Sequence, residues 1–250
     1  MNRLGSPVTR YASVESTMDE ITRLASEGAP EGMAVIADVQ RAGRGRAGRR
    51  WETPPGSAFL CSILLRPSLA VHLLSLLPIA AGLAVAEAIE SIAPVRCQLK
   101  WPNDVLINGR KVAGILAQTR AIGERVDHVN LGVGVNLNTD VTQLPGGATS
   151  ILRETGMRVD PLIFEQSVFN RLSHRYDAFC ASGGELDLGP WLERSYLLGS
   201  MVKVVDGDRE LIGIHRGIDA NGALLLETET GMRAVVSGDL TRGPRRMTDA

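Results

Sequence analysis

Residues 129–137 constrain the fold of this chain more than any other segment, because apolar side chains alternate there with small or polar ones. Successive residues of a β-strand point to opposite faces of the sheet, so the two sets are separated. One face carries Val129, Leu131, Val133, Val135 and Leu137, and the other carries Asn130, Gly132, Gly134 and Asn136. The pattern predicts a strand with one buried face and one nearly bare face, where a ligand can approach the backbone.

The segments around this strand predict a mixed α+β protein. Apolar runs of strand length occupy residues 33–39, 58–66 and 96–100, and the pair Asn108-Gly109 between two further runs indicates a hairpin. Helical patterns cover residues 13–26 and 161–181, and Pro190 opens another short helix. We therefore expect a sheet packed against helices.

Residues 67–86 contain no formally charged side chain, which raises the question of a membrane span. A spanning helix needs about 20 predominantly apolar residues. This segment includes Pro78, and Glu87 and Glu90 continue its helical period. We predict a mostly buried core helix starting near Pro78 and no association with a membrane.

The pattern changes after Met201 to short apolar runs separated by the turn signals Asp206-Gly207 and Asn221-Gly222. Such runs predict a small β-barrel of fewer than fifty residues. The expected organisation is a larger domain over residues 1–197, a small domain over 198–244 and a tail over 245–250. The chain is polar from Gly243 onward, and we expect this end to be disordered.

Composition excludes several classes of protein. The net charge of −1 provides no overall field for nucleic acid or an anionic membrane surface. Cys61, Cys97 and Cys180 are odd in number, far apart and in apolar settings, so they indicate neither a metal site nor a disulfide framework. The N-terminus lacks the apolar core of a signal peptide. Reduced thiols in a cytoplasmic protein are the expected state.

The charge is nevertheless uneven, since five arginines and no acid lie between Asp38 and Glu52. Residues 43–51 read GRGRAGRRW. Glycines let the backbone come close to a ligand, and arginine forks suit phosphate or carboxylate oxygens. Trp51 offers a stacking face for a purine. The composition predicts an anion-binding loop but not which anion, and a solvated basic loop or an RNA-binding segment remains an alternative.

Two shorter motifs follow. In residues 100–104 (KWPND) the proline fixes a turn after a strand, and the adjacent Asn103 and Asp104 can contact a ribose or a base edge or hold a metal ion. A plain Asx turn is the alternative. Lys111 follows the hairpin turn and, by alternation, shares a strand face with Ala113 and Ile115. It either lies at the sheet margin or points at an anion, and on its own the motif favours the margin.

Together, in order and spacing, these motifs resemble the biotin protein ligase family. The matching segments are residues 15–17 (EST), 40–51 (QRAGRGRAGRRW), 100–104 (KWPND), 110–116 (RKVAGIL) and 132–136 (GVGVN). The loop and the KWPND motif are highly specific in combination. The resemblance implies the biotin–lipoate ligase fold, which is related to class II synthetases, with a small C-terminal SH3-like barrel. The implied activity is formation of biotinyl-5'-AMP from biotin and ATP, followed by transfer of biotin to a lysine of a carboxyl carrier domain.

The resemblance also implies roles for individual residues. Catalysis would fall to Lys111, Arg46 and Arg49. The biotin-binding set is Ser16, Thr17, Met18, Gln40, Gly43, Arg44, Gly45, Arg46, Lys111, Gly114 and Gly132. The set for ATP and the adenylate is Arg46, Arg49, Trp51, Lys100, Asn103, Asp104 and Asn136, with Asp104 as a candidate Mg²⁺ ligand. The loop is expected to be disordered without ligand and to close over the adenylate.

Two departures from the family pattern qualify these expectations. Met18 stands where the family often has asparagine, so its side chain cannot make the same contact with biotin. The chain starts directly at the catalytic part, with no room for the helix-turn-helix domain of many bacterial members, so we expect an enzyme that does not bind DNA and is a monomer.

Two rival functions stay open. One is a lipoate or octanoate ligase, which shares the fold and the adenylation chemistry. The other is a nucleic-acid-binding protein that uses the arginine loop. Against the second, the loop is isolated and only ten residues are Phe, Trp or Tyr.

Overall fold

A seven-stranded mixed sheet forms the larger part of the molecule in the computed structural model, which describes residues 4–123 and 125–244. Its strands are β1 (Val8–Tyr11), β2 (Ala34–Ala37), β3 (Ala58–Leu65), β4 (Cys97–Lys100), β5 (Asp104–Ile107), β6 (Arg110–Ile122) and β7 (Arg125–Asn136). Their order is β1-β2-β3-β7-β6-β5-β4. β1 and β2 run parallel, and every other neighbouring pair is antiparallel.

Helices cover both faces of this sheet. They are α1 (Thr17–Ser26), α2 (Leu77–Ile92), α3 (Ile151–Thr155), α4 (Pro161–Ala181) and α5 (Gly189–Leu192). The main core lies between one sheet face and the pair α2 and α4. A smaller apolar cluster, which includes Ile21 and Val35, lies under α1 on the opposite face. The mixed sheet packed with helices is the fold that the sequence predicts, so that prediction is confirmed.

The uncharged segment forms α2 and the short 3-10 turn Val71–Leu76 before it. Residues Val71–Ile92 are long and apolar enough to cross a membrane by composition, but 72% of the qualifying window is buried inside the protein. Eleven residues of α2 are buried, and Pro78 stands in its first turn. The helix is a core element, as the sequence predicts.

The alternating strand is the centre of the sheet. β7 pairs with β3 on one side and β6 on the other, and Val129, Val133 and Val135 are at most 2% exposed. The opposite face, with Gly132 and Gly134, lies on the α1 side. The predicted two-faced strand is therefore confirmed.

A β-bulge changes the orientation that the sequence predicts for Lys111. Leu106 pairs with Lys111 but Val105 pairs with Ala113, so β6 carries one extra residue, Val112. Val112 and Ala113 are both fully buried, whereas the Lys111 amine reaches toward Gly114. The predicted common face for Lys111, Ala113 and Ile115 is wrong, because an inserted residue shifts the alternation by one.

The C-terminal part forms an antiparallel five-stranded sheet. Its strands are β8 (Met201–Asp206), β9 (Arg209–Ile218), β10 (Leu224–Thr228), β11 (Gly231–Val235) and β12 (Asp239–Arg242), in the order β11-β10-β9-β8-β12. The predicted small C-terminal β-domain is therefore confirmed, and within the described ranges its edge strands β11 and β12 do not pair, so the sheet is not closed into a full ring. β12 pairs with β8 over four residues, from Asp239 to Arg242.

The small sheet is attached to the large one through the KWPND motif. The Trp101 indole is 2% exposed and its Nε1 donates to the Gly222 carbonyl at 2.9 Å. The predicted boundary at residues 197/198 lies in the connection between α5 and β8. The predicted tail over 245–250 lies outside the described residues.

Candidate functional site

Two adjoining cavities lie on the glycine face of the large sheet and share Arg49, Arg50, Trp51, Asp104 and Lys111. The first cavity also touches Thr17, Met18, Gln40, Arg44, Gly45, Arg46, Asn103, Gly114 and Gly132. The second cavity also touches Lys100 and Asn136. The fold thus brings together most of the residues singled out in the sequence. Ser16 and Gly43 line neither of these two cavities.

The closed end of the first cavity is polar. The Gln40 Oε1 atom accepts hydrogen bonds from Thr17 N at 2.8 Å, from Thr17 Oγ1 at 3.0 Å and from Ser16 Oγ at 3.4 Å. Ser16 also caps α1 by accepting from the Met18 amide, which holds this end of the helix at the cavity. Because the Gln40 oxygen is engaged, its Nε2 group remains to donate to a ligand carbonyl.

Bulky side chains rest on the bare strand face. A Cβ atom added to Gly134 would lie 2.7 Å from Trp51 Cε2, and one added to Gly114 would lie 2.9 Å from Trp51 Cζ3. Met18 takes the equivalent place over Gly132, at 2.9 Å from Sδ. The first cavity therefore has a volume of about 120 Å³, below the roughly 300–1,000 Å³ of typical ligand pockets.

Positive charge collects where the two cavities meet. Lys111 Nζ lies 2.6 Å from Asp104 Oδ1 and 5.4 Å from the centre of the Trp51 ring. Arg46 Nη1 donates to Asn103 Oδ1 at 3.2 Å, and burial lowers the pKa of the Arg46 guanidinium. A cation that has lost water in this way gains more from a bound anion than an exposed one does.

The other loop arginines pair with carboxylates. The pairs are Arg41–Glu15, Arg44–Asp19, Arg49–Asp239 and Arg50–Glu52. Arg46 is the one loop arginine without a carboxylate partner among residues 4–123 and 125–244. A loop whose charges are mostly neutralised does not provide the continuous basic surface that nucleic-acid binding requires.

The second cavity, of about 560 Å³, presents an unpaired acceptor. The Asn136 Nδ2 group donates to the Thr149 carbonyl at 2.9 Å, and its buried Oδ1 has no hydrogen-bond partner within the described ranges. The buried Trp51 Nε1 is likewise unpaired there. An acceptor beside an indole fits a planar heterocycle that carries an amino group.

Sequence reasoning missed several parts of the site. Ser62 lies 2.8 Å from Thr17 Oγ1, behind the polar end of the first cavity. Residues 144–148 and 240–242 line the second cavity. Ser62 was detectable as a polar residue inside an apolar strand run. Residues 144–148 have no periodicity, and residues 240–242 come from the second sheet, so only the tertiary structure identifies these two segments.

The predicted metal site has one carboxylate, Asp104, which is already paired with Lys111. No group of three or more His, Cys, Asp or Glu side chains suited to a metal occurs in the part of the chain that the structure describes. Mg²⁺ bound by protein commonly uses one or two carboxylates together with substrate phosphates. The donor set does not fit a resident ion, so magnesium would enter this site only with ATP, as MgATP.

Models of two known families match the chain. Residues 11–136 match the Biotin/lipoate A/B protein ligase family, and residues 197–240 match the Biotin protein ligase C terminal domain. The first match contains the arginine loop, the KWPND motif and the whole of β7. The second contains most of the five-stranded sheet.

Individual proteins are similar over nearly the whole chain. The biotin--[acetyl-CoA-carboxylase] ligase of Paracoccus denitrificans is 36% identical over 93% of this chain and 99% of its own. The bifunctional ligase/repressor BirA of Bacillus spizizenii is 33% identical over 92% of this chain and 72% of its own. The biotin protein ligase of Aquifex aeolicus, solved with biotin and ATP, superposes with a TM-score of 0.82 at 29% identity, covering 95% of this chain and 100% of that one.

Proposed function

The chain belongs to the biotin/lipoate A/B protein ligase family, and we propose that it is an ATP-dependent biotin protein ligase. It forms biotinyl-5'-AMP and then attaches biotin to a lysine of a carrier domain. One observation carries the proposal: Lys111 stands at the junction of a cavity with a free amide donor and a cavity with a free amide acceptor.

Biotin occupies the first cavity in this proposal. Its ureido carbonyl accepts from Gln40 Nε2 at the polar end, and its ring system takes the place of Trp51 and Met18 on the glycine face. Its carboxylate then points toward Lys111. Because the first cavity is narrow, Trp51 and the loop that carries it move outward to admit the acid.

ATP occupies the second cavity. Its adenine amino group donates to Asn136 Oδ1, and the base packs against the indole of Trp51. Lys100 and Asn103 lie beside the ribose and phosphates. The acyl carboxylate and the α-phosphorus then meet beside Lys111 and Asp104.

The first step joins two anions. The biotin carboxylate attacks the α-phosphorus of MgATP, a P–O bond to the β-phosphate breaks, and pyrophosphate leaves. Arg46, Arg49 and Lys111 lower the cost of this approach by placing positive charge around the transferred group. No protein nucleophile is required, since catalysis here consists of positioning and charge stabilisation.

The second step uses the stored acyl phosphate. The neutral amine of the carrier lysine attacks the acyl carbon, the C–O bond to AMP breaks, and an amide forms with loss of a proton. Lys111 stabilises the developing oxyanion or the departing AMP. The arginine loop covers the adenylate and excludes water until the carrier arrives.

Partners and location follow from this activity. The carrier is a biotin-accepting domain of a carboxylase, as in the name of the Paracoccus relative. We propose a monomer in the cytoplasm, where ATP is available and where Cys61, Cys97 and Cys180 stay free thiols, as they are in the described fold. The repressor activity in the name of the Bacillus relative is not part of the proposal.

Pyrophosphate exchange tests the proposal against its lipoate rival. The purified protein is incubated with MgATP, labelled pyrophosphate and either biotin or lipoate, and label entering ATP is measured. We expect exchange that depends on biotin. Exchange that depends on lipoate and does not respond to biotin would overturn the assignment.

A further inference from the structure

Glu154 of α3 lies outside both cavities but accepts hydrogen bonds from three different segments. Its side chain is 2% exposed. Oε1 accepts from Thr149 Oγ1 and lies 2.7 Å from Arg110 Nη2, and Oε2 accepts from Asn108 Nδ2 at 2.8 Å and from Arg110 Nη2 at 2.9 Å. The Glu154 carboxylate therefore binds three segments at once: the β5–β6 hairpin turn, the start of β6 and the segment before α3.

The electrostatics of Glu154 are consistent with a permanently charged anchor. Burial acts to raise the pKa of this carboxyl group. The hydrogen bonds from Thr149, Arg110 and Asn108 outweigh burial, so the net pKa lies below its ordinary range. Charge-assisted hydrogen bonds of this kind are roughly twice as strong as neutral ones.

Thr149 connects this anchor to the second cavity. Its carbonyl accepts from Asn136 Nδ2 at 2.9 Å, and its amide donates to the Lys111 carbonyl at 2.8 Å. The Lys111 amide in turn donates to the Gly147 carbonyl at 3.0 Å. Residues 147–149 are thus fastened along the backbone of Lys111, and one of their carbonyls fixes which end of the Asn136 amide faces the cavity.

We propose that Glu154 is a positioning residue for the nucleotide: by holding Thr149, it keeps the Asn136 amide oriented with Oδ1 toward the cavity and so selects a base with an amino group at that point. Without this hold, the Asn136 side-chain amide is free to rotate. Its Oδ1 atom can accept a hydrogen bond from the amino group of adenine, whereas after rotation its NH₂ group can donate to the carbonyl of guanine. This inference rests on the proposed function for the identity of the nucleotide.

The test compares Glu154→Gln and Thr149→Val with wild-type protein in pyrophosphate exchange. Gln replaces one acceptor oxygen by a donor, and Val removes only the hydroxyl of Thr149. For both variants we expect the KM for ATP to rise about tenfold, the KM for biotin to stay within about twofold, and the preference for ATP over GTP to fall. The double variant should lose little more than either single one, because both changes break the same connection.

Glu87→Gln is the matched control. Glu87 pairs with Arg175 between α2 and α4, on the face of the sheet away from the two cavities. It removes a carboxylate from an Arg pair and should leave the KM for ATP unchanged. If Glu154→Gln fails to fold, as judged by circular dichroism, Thr149→Val alone carries the test. A KM for ATP and a GTP preference equal to those of wild type in the folded variants would overturn the proposal.

Hydrogen exchange provides a readout that does not depend on the reaction. The Thr149 amide donates to the Lys111 carbonyl, so its peptide should exchange faster in Glu154→Gln than in wild type, while peptides of α4 remain unchanged. If wild-type protein shows no exchange of pyrophosphate with biotin, the proposed function fails. The hydrogen-exchange result still decides whether Glu154 holds Thr149, and unchanged protection in this segment would overturn that hold.

Discussion

The Lys111 ammonium lies 2.6 Å from the Asp104 carboxylate, at the junction of the two cavities. Lys111 is held there by the bulge at Val112, which turns its side chain from the core face to the glycine face. The ion pair with Asp104 keeps the Lys111 amine in place at this junction. In the proposed reaction, a substrate carboxylate or phosphate competes with Asp104 for this ammonium group.

Replacing Lys111 tests this arrangement. We expect Lys111→Ala to fold normally, because the side chain is 35% exposed, and to lower the exchange rate by about 10²–10³. Lys203→Ala is the control, since Lys203 pairs with Glu210 on the small sheet. Exchange by Lys111→Ala near the wild-type rate would contradict its role.

Asn136 should set the choice of base. Asn136→Leu removes the unpaired acceptor, so we expect the KM for ATP to rise and discrimination against GTP to fall by about ten- to a hundredfold. Asn130→Leu is the matched control, because Asn130 is equally buried on the same strand face but lines neither cavity. Equal nucleotide preferences in the two variants would count against the assignment.

Gly134 should be intolerant of any side chain. In the unliganded protein an added Cβ at Gly134 would lie 2.7 Å from the Trp51 ring. In the proposed complex biotin replaces Trp51 on this face, so in Gly134→Ala the methyl group stands where biotin packs, and we expect the KM for biotin to rise about tenfold. Gly82→Ala is the control, because an added Cβ there meets its nearest neighbour at 3.7 Å. A wild-type KM for biotin in Gly134→Ala would contradict the placement of biotin on this face.

His215 should make the fold sensitive to acid. It is fully buried, its Nε2 lies 3.0 Å from Ser195 Oγ and its Nδ1 accepts from Gly217 N. Burial lowers its pKa from 6.5 to about 4. Between pH 6.5 and pH 4 His215 binds a proton in the unfolded chain but not in the folded protein. The contribution of the neutral His215 to the free energy of unfolding is therefore fully present above pH 6.5 and is lost as the pH falls toward 4.

At pH 4 and below, this effect of His215 lowers the free energy of unfolding by about 3 kcal/mol. Urea unfolding at pH 7 and pH 4.5 measures it, and the fall should shrink in His215→Gln, which has no titrating group there. His72→Gln, on the exposed turn before α2, should keep the full pH dependence. An unchanged pH dependence in His215→Gln would contradict the prediction.

The sequence predicts regular elements well where its periodicity is strong. α4 begins at Pro161 and ends at Ala181, the bounds that its amphipathic period predicts. β7 follows its alternation. The bulge at Val112 escaped prediction because one inserted residue leaves no trace in a strand pattern. β1 was also missed, since its four residues are held by a parallel pairing with β2 that lies far away in sequence.

In the candidate site too, features within a short segment could be predicted from the sequence, and features that depend on tertiary contacts could not. The loop and the KWPND motif were recognisable because each concentrates unusual residues in a short segment. Glu154 was not, since a glutamate in a short helix resembles any surface acid until the fold brings Asn108, Arg110 and Thr149 around it. The binding roles of residues 16–51 and 100–136 stay predictions that the variants above can test.

Mass spectrometry of a carrier domain measures biotin transfer by this protein. A purified biotin-accepting domain is incubated with this protein, biotin and MgATP, and its intact mass and tryptic peptides are measured. We expect a gain of one biotinyl group on one lysine, dependent on ATP and absent with Lys111→Ala. No mass gain with biotin, or a gain only when lipoate replaces it, would show that the protein is not a biotin protein ligase.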